Sequence, residues 1–180
     1  MPFSMFWWRV FNGEHYQAIF PLGKRYIPIS TTGAFDGTWL KIHEHLREWA
    51  RIEQERHRSP SEAIIDSQSV KSAAMVSQDI GFDHGKLIKG RKRFVTVDTL
   101  GLILRVLVTA ASVGEREGGR KVLKRVKRMG KGVSRLHTVW VDGGFDGAPF
   151  MMWVMDVCHW IVRVVLRPEH SKGFVLLKKR

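Results

Sequence analysis

One cysteine in 180 residues, Cys158, leaves no partner for an internal disulfide and no set of thiolates for a structural zinc site. Its neighbours, Val157 and the pair His159-Trp160, mark it as a buried thiol without chemical work. A reducing cytoplasm suits such a chain. Acidic side chains are scarce as well: 17 Asp and Glu stand against 30 Lys and Arg, a net charge of +13 and a pI near 10.4. That imbalance calls for a polyanionic partner, most often nucleic acid, although a small RNA-binding protein shows the same excess. Long apolar runs are missing. The opening MPFSMFWWRVF is aromatic but too short to span a bilayer, and it lacks the charged start and small-residue cleavage site of a signal peptide. The chain reads as soluble and cytoplasmic, with no membrane partner, no internal repeat and no low-complexity tract.

What is present suffices for a core. Hydrophobic residues make up 44% of the chain, and its length suits one domain with a short appendage. Residues 1–35 follow neither the period of a strand nor that of a helix and stay unassigned. From Thr38 the pattern sharpens. Trp39, Ile42, Leu46 and Trp49 recur at helical spacing between charged residues, which predicts an amphipathic helix to about Arg56 within a segment 36–58, with Asp36 or Thr38 as its cap. Ser59-Pro60-Ser61 ends it. Ala63 to Ser67 reads as a short buried strand closing on Asp66, and residues 72–91 as a polar loop. Two strands, 92–98 and 102–110, flank a Thr99-Leu100-Gly101 hairpin that also accounts for Asp98. A basic helix over 116–129, a strand over 136–141, a helix over 148–156 and strands over 159–166 and 174–177 follow. Strands separated by helices imply an α/β fold whose sheet is partly parallel and covered by helices.

Two carboxylates stand out by position: Asp66 at the end of the first strand, and Asp142 at the end of the strand after the basic helix. If those strands lie side by side and parallel, both side chains emerge at one sheet edge. Two carboxylates beside a basic surface suit a hard cation, since Mg²⁺ takes oxygen ligands and commonly uses one or two carboxylates with substrate phosphates. The plain alternative is that Asp142-Gly143-Gly144 is only a turn. Lys86, Lys89, Arg91, Lys92 and Arg93 fall in a stretch that contains no acid. Together with the cations of the helix over 116–129 they form two clusters suited to phosphate contact. Asp83 and His84 lie in the loop with no role specified by the sequence.

At these residues the chain resembles the DDE transposases of the insertion sequence 5 family. Ile65-Asp66-Ser67-Gln68-Ser69-Val70-Lys71 is similar to the family's first catalytic motif, and Val141-Asp142-Gly143-Gly144-Phe145 to its second. Between them stand Gly85-Lys86, Lys89-Gly90-Arg91-Lys92-Arg93 and Val97-Asp98-Thr99-Leu100-Gly101, and Lys172-Gly173-Phe174-Val175-Leu176 resembles the strand that follows. The resemblance runs from about Asp36 to the end. It implies an RNase H-like mixed sheet with flanking helices, incomplete at the C-terminus, in a partial catalytic domain over 59–180. It further implies that Asp66 and Asp142 ligate Mg²⁺, with Mn²⁺ as a substitute, and that the five basic residues from Lys86 to Arg93 touch DNA. The expected partners are transposon-end and target DNA, with a homo-oligomer or a complex with an intact transposase. The family's third carboxylate sits on a helix after the last strand, where this chain ends at Lys178-Lys179-Arg180. The expectation is therefore a transposase fragment, inactive as it stands. The competing reading is a basic DNA- or RNA-binding protein without catalysis, which gives Asp66 and Asp142 no reason to converge.

Overall fold

The computed structural model describes Gly33, residues 36–73 and residues 78–165. Residues 1–32, and the strand expected over 174–177, lie outside the described residues. The chain divides into two compact units, Met1–Lys41 and Ile42–Arg180. The described part of the first is the start of helix α1 (Thr38–Glu53), where the Asp36 carboxylate accepts the Thr38 N–H at 2.8 Å, one of the two caps expected. The second unit carries strands β1 (Glu62–Lys71), β2 (Gly81–Asp83), β3 (Ile88–Asp98), β4 (Ile103–Ala110), β5 (Thr138–Asp142) and β6 (Ile161–Val165). Helix α2 (Glu115–Lys127) joins β4 to β5, and α3 (Ala148–Trp153) runs through a π-helical turn, Val154–Cys158, into β6.

All six strands form one mixed sheet. β3 sits between β1 on one side and β4 and β2 on the other, all antiparallel to it, while β1, β5 and β6 run parallel. This is the mixed sheet with flanking helices that the sequence led us to expect. One face is closed. Ala63, Ile65, Phe94, Leu104, Leu107, Val139 and Val141 point to it and pack against Val122, Leu123 and Val126 of α2 and Phe150 of α3. α2 lies close to the sheet because Gly118 bears no side chain: a Cβ there would stand 2.0 Å from the Phe94 ring. The other face, with Ile64, Asp66, Gln68 and Val70 on β1, is exposed.

Several elements differ from the sequence reading for identifiable reasons. β1 does not stop at Asp66 but continues to Lys71, pairing with β3 along its length. Its second half alternates serine with exposed residues, and Ser67 and Ser69 are buried where an apolar pattern would place hydrophobic groups. The loop expected over 72–91 contains β2 and the start of β3 for the same reason, since their inward residues are Asp83 and Gly90 rather than apolar side chains. The β3–β4 hairpin forms where expected. Gly101 takes the turn at φ +79°, and the Asp98 carboxylate accepts the N–H groups of Leu100 and Leu102 at 2.9 and 3.0 Å.

In α1 the buried face is not the apolar stripe. Ile42, Leu46 and Trp49 are exposed, whereas Arg47 and Arg51 are buried. Arg51 reaches the fully buried Asp98 at 2.5 Å and the His57 carbonyl at 2.7 Å, and Arg47 donates to the carbonyls of Arg58 and Gly132. Asp98→Ala strands the Arg51 cation and frees two hairpin N–H groups. We expect it to cost about 3–5 kcal/mol, the range for breaking one half of a buried pair. Urea unfolding checks this, and a loss below about 1 kcal/mol would place the Arg51–Asp98 contact with the weak surface pairs.

Candidate functional site

Asp66 sits in the middle of β1 with its side chain on the exposed face, its Oδ1 accepting the Ser67 N–H at 2.8 Å. Asp142 is the last residue of β5. Its Oδ1 accepts the Gly144 N–H at 3.0 Å and caps the 3-10 turn Gly143–Phe145, so the turn predicted by Asp-Gly-Gly is present. The two strands are adjacent and parallel, in the register Glu62 to Thr138, Ala63 to Val139 and Ile64 to Trp140. The hydrogen-bonded pairing between them ends at Ile64 and Trp140, and Asp66 and Asp142 each lie two residues beyond it, toward the same end of the sheet. Trp140, two residues before Asp142, donates its indole N–H to Glu62 at 2.8 Å and lies under the Arg163 guanidinium at 5.5 Å.

The basic stretch divides. β3 pairs Arg93 with Gln68 and Arg91 with Val70, so both arginines share the face of Asp66. Arg93 donates to the Gln68 side chain, and Arg91 to the Gln78 carbonyl at 3.0 Å. With Lys71 they border a groove of about 290 Å³ whose apolar walls are Val70 and Val108. A larger groove, about 440 Å³, lies by Trp49, Leu100 and Leu102, away from both aspartates. Lys89 is exposed, and Lys86, also exposed, places its ammonium 3.2 Å from the Ser67 carbonyl, next to Asp66.

Lys92 behaves otherwise and corrects the expectation that all five cations face a ligand. It is 3% exposed, on the closed side of β3, with its ammonium 3.1 Å from Asp83 and 3.4 Å from Glu115. A cation so paired has no free direction for a phosphate. Asp83, left without a role by the sequence, is its buried counter-ion. Its carboxylate accepts the Ser69 hydroxyl at 2.5 Å and the N–H groups of Gly85 and Lys86 at 3.1 Å. The Ser69 hydroxyl, with help from Lys92 and the Lys86 N–H, holds Asp83 far below the usual carboxylate range despite its burial.

Glu115 was not singled out by the sequence. From the first turn of α2 it meets the Ser67 hydroxyl and the Lys92 ammonium, each at 3.4 Å. Its Cγ would lie 3.2 Å from a Cβ built on Gly144, the residue whose N–H Asp142 holds. An acid in a helix's first turn is an ordinary complement to the helix dipole, so nothing in the local pattern distinguished it. Among the described residues no three or more His, Cys, Asp or Glu side chains are grouped as a metal site. Asp66 and Asp142 nonetheless offer the right donors for Mg²⁺: hard oxygens, two of them, with solvent access for the waters this ion retains. Cys158 is buried, as expected, with its thiol pKa raised by that burial.

With this geometry in place, the comparison with known families is direct. The model of the transposase DDE domain matches residues 30–179. The chain belongs to the transposase DDE domain family. No curated protein matches it. A solved chain, in the cryo-EM structure of a piggyBac transposase synaptic complex with hairpin DNA, is similar to it at 14% identity and a TM-score of 0.37. That match covers 63% of this chain and 24% of the piggyBac chain, so the present chain spans about a quarter of its length.

Asp83 generates a pH prediction. Above the ordinary carboxylate pKa of 3.8 the group is ionised in both folded and unfolded states, and its full stabilisation is present. As pH falls below that value the unfolded chain takes up a proton that the folded chain resists, so stability declines. Asp83→Asn should therefore flatten the stability profile between about pH 4 and pH 2, besides lowering its plateau. Urea midpoints across that range test it. A variant whose profile stays as steep as the parent's would mean that other carboxylates set the acid limb.

Proposed function

We propose that this chain is the metal-binding, DNA-handling part of a bacterial insertion-sequence transposase, with Asp66 and Asp142 as its cation ligands. The observation that supports this most is their placement on adjacent parallel strands, on one exposed face shared with Arg91 and Arg93. A non-catalytic binding protein has no need of that convergence, whereas family membership supplies a reason for it. The ion we favour is Mg²⁺, with Mn²⁺ as a substitute, held by the two aspartates and completed by water and DNA phosphate. When bound it would neutralise charge on the attacking and leaving oxygens of an in-line phosphoryl transfer. The chain's own groups then bind and orient. Lys86, Lys89, Arg91 and Arg93 hold the DNA backbone across the open face, and the apolar groove beside Arg91 and Arg93 keeps water from one side of it. We place the protein in the cytoplasm and take residues 59–180 as the catalytic part.

We further propose that Asp66 and Asp142 alone hold the ion too loosely for catalysis. Two carboxylates leave most of an octahedral shell to water, which predicts loose metal binding. Manganese titration followed by electron paramagnetic resonance should show weak binding that disappears in Asp66→Ala and in Asp142→Ala. Binding that survives both substitutions would sink the assignment of these ligands. Strand transfer from the 180-residue chain should be undetectable with either ion. Metal-dependent cleavage by this chain, abolished in Asp142→Ala, would overturn that expectation and make Glu115 the first residue to test as a third ligand.

DNA binding has its own signature. Each phosphate neutralised contributes about −0.9 to the slope of log affinity against log salt. Replacing Lys89, Arg91 and Arg93 together by Ala should flatten the slope by up to about 2.7. An unchanged slope would show these side chains to be a solvated face. Lys92→Ala belongs to a different class, because it should lower the melting temperature.

A further inference from the structure

We propose that the outer face of α2, with the turn that follows it, is a second DNA-binding surface, taking a duplex other than the one held on the open face of the sheet. The inference rests on the DNA reading above and deepens it. Residues 116–135 hold nine Lys and Arg against one acid, Glu117. The helix buries Gly118, Val122, Leu123 and Val126 against the sheet, which turns Arg116, Lys121, Lys124 and Arg128 outward.

A charged helix surface is ordinarily a solvated face, and such faces mix both signs at i,i+4 spacing. Among the described residues only Lys121 of these cations has an acidic partner, Glu117 at 2.6 Å. The pairs Arg120/Lys124, Lys121/Arg125 and Lys124/Arg128 instead put like charges one turn apart, an arrangement that weakens a helix in water. A polyanion laid along the helix removes that repulsion. The other contacts orient these cations without neutralising them. Arg120 and Lys124 lie over the Trp153 ring at 6.0 and 5.6 Å, and Lys127 lies over Trp160 at 5.6 Å while donating to the Cys158 carbonyl at 2.7 Å. Arg128 and Lys131 are exposed and meet no carboxylate among the described residues.

The shape favours a duplex over a membrane. Thirteen residues make a rod about 20 Å long, which matches about six phosphates of one strand along the duplex axis. α2 presents no exposed large apolar side chain to enter a bilayer. Position completes the argument. α2 covers the closed face of the sheet, while Asp66, Arg91 and Arg93 lie on the open one, so a duplex on α2 leaves the two aspartates free. Two DNA segments can then be held at once.

The test counts duplexes per chain by titrating a labelled duplex of about one helical turn into the full chain. Three proteins are compared: the parent, a triple variant (Lys124→Gln, Arg128→Gln, Lys131→Gln) and a sheet-face pair (Arg91→Gln, Arg93→Gln). The altered residues of the triple variant are exposed, and matched melting curves confirm that it folds. The parent should saturate at twice the duplex per chain of the triple variant, whose log-log salt slope should fall by about 0.9 for each phosphate it no longer neutralises. A triple variant that keeps the parent's saturation and slope overturns the proposal. So does one that keeps its DNA binding but loses binding to phosphatidylserine vesicles. If the sheet-face pair changes nothing while the triple variant loses binding, the α2 surface stands and the sheet-face reading is what fails.

Discussion

A lysine ammonium in the interior of a small domain is the constraint around which this fold is arranged. Lys92 is charged, almost wholly buried, and placed where a β-sheet core ordinarily carries an aliphatic side chain. Removing such a charge from water costs several kcal/mol unless partners are fixed in place. The partners come from elements far apart in the chain: Asp83 at the end of β2 and Glu115 at the start of α2. Each of these is bound in turn to a serine of β1. A polar seam thus joins β1, β2, β3 and α2 beneath the open face. It also holds β1 in register. Sliding β1 by two residues against β3 would part Asp83 and Glu115 from their serine hydroxyls.

That seam explains which features the sequence displayed and which it concealed. Elements that bury apolar residues were legible: β4, β5, α2 and the hairpin at Gly101 form where hydrophobic period and turn chemistry placed them. β2, the start of β3 and the second half of β1 were not, because their inward positions hold Asp83, Gly90, Ser67 and Ser69. The polar ones are tolerable inside only in the company of one another and of Lys92, and a reading along the chain cannot supply the company. Asp66 and Asp142 were visible because each sits beside an apolar strand segment. Lys92 was indistinguishable from its basic neighbours in composition, and only the two-residue period of β3 separates it from Arg91 and Arg93. Glu115 was hidden for the complementary reason, since the position is what any helix start invites.

The sheet has two faces with different chemistry. The closed face is mainly aliphatic and aromatic, with Phe145 against both Phe94 and Phe150. The open face alternates carboxylate, amide and guanidinium with valine and isoleucine. Alternation along a strand lets ten residues of β1 serve both. Every second residue is committed to packing and to the polar seam, and the residues between are free for a ligand.

The attachment of α1 has a separate consequence. From Ile42 onward this helix is held by Arg47 and Arg51, by carbonyl contacts and by the pair of Arg105 with Glu44, while Ile42, Leu46 and Trp49 already lie in water. Lifting that segment away would part Arg51 from the buried Asp98 and open the groove that Trp49 forms with Leu100 and Leu102. Heat capacity and denaturant sensitivity both scale with newly exposed area, so its release would register in both. Because Asp98 also holds the N–H groups of Leu100 and Leu102, the segment is tied to the β3–β4 turn and cannot part from the domain without stranding that turn's own anchor.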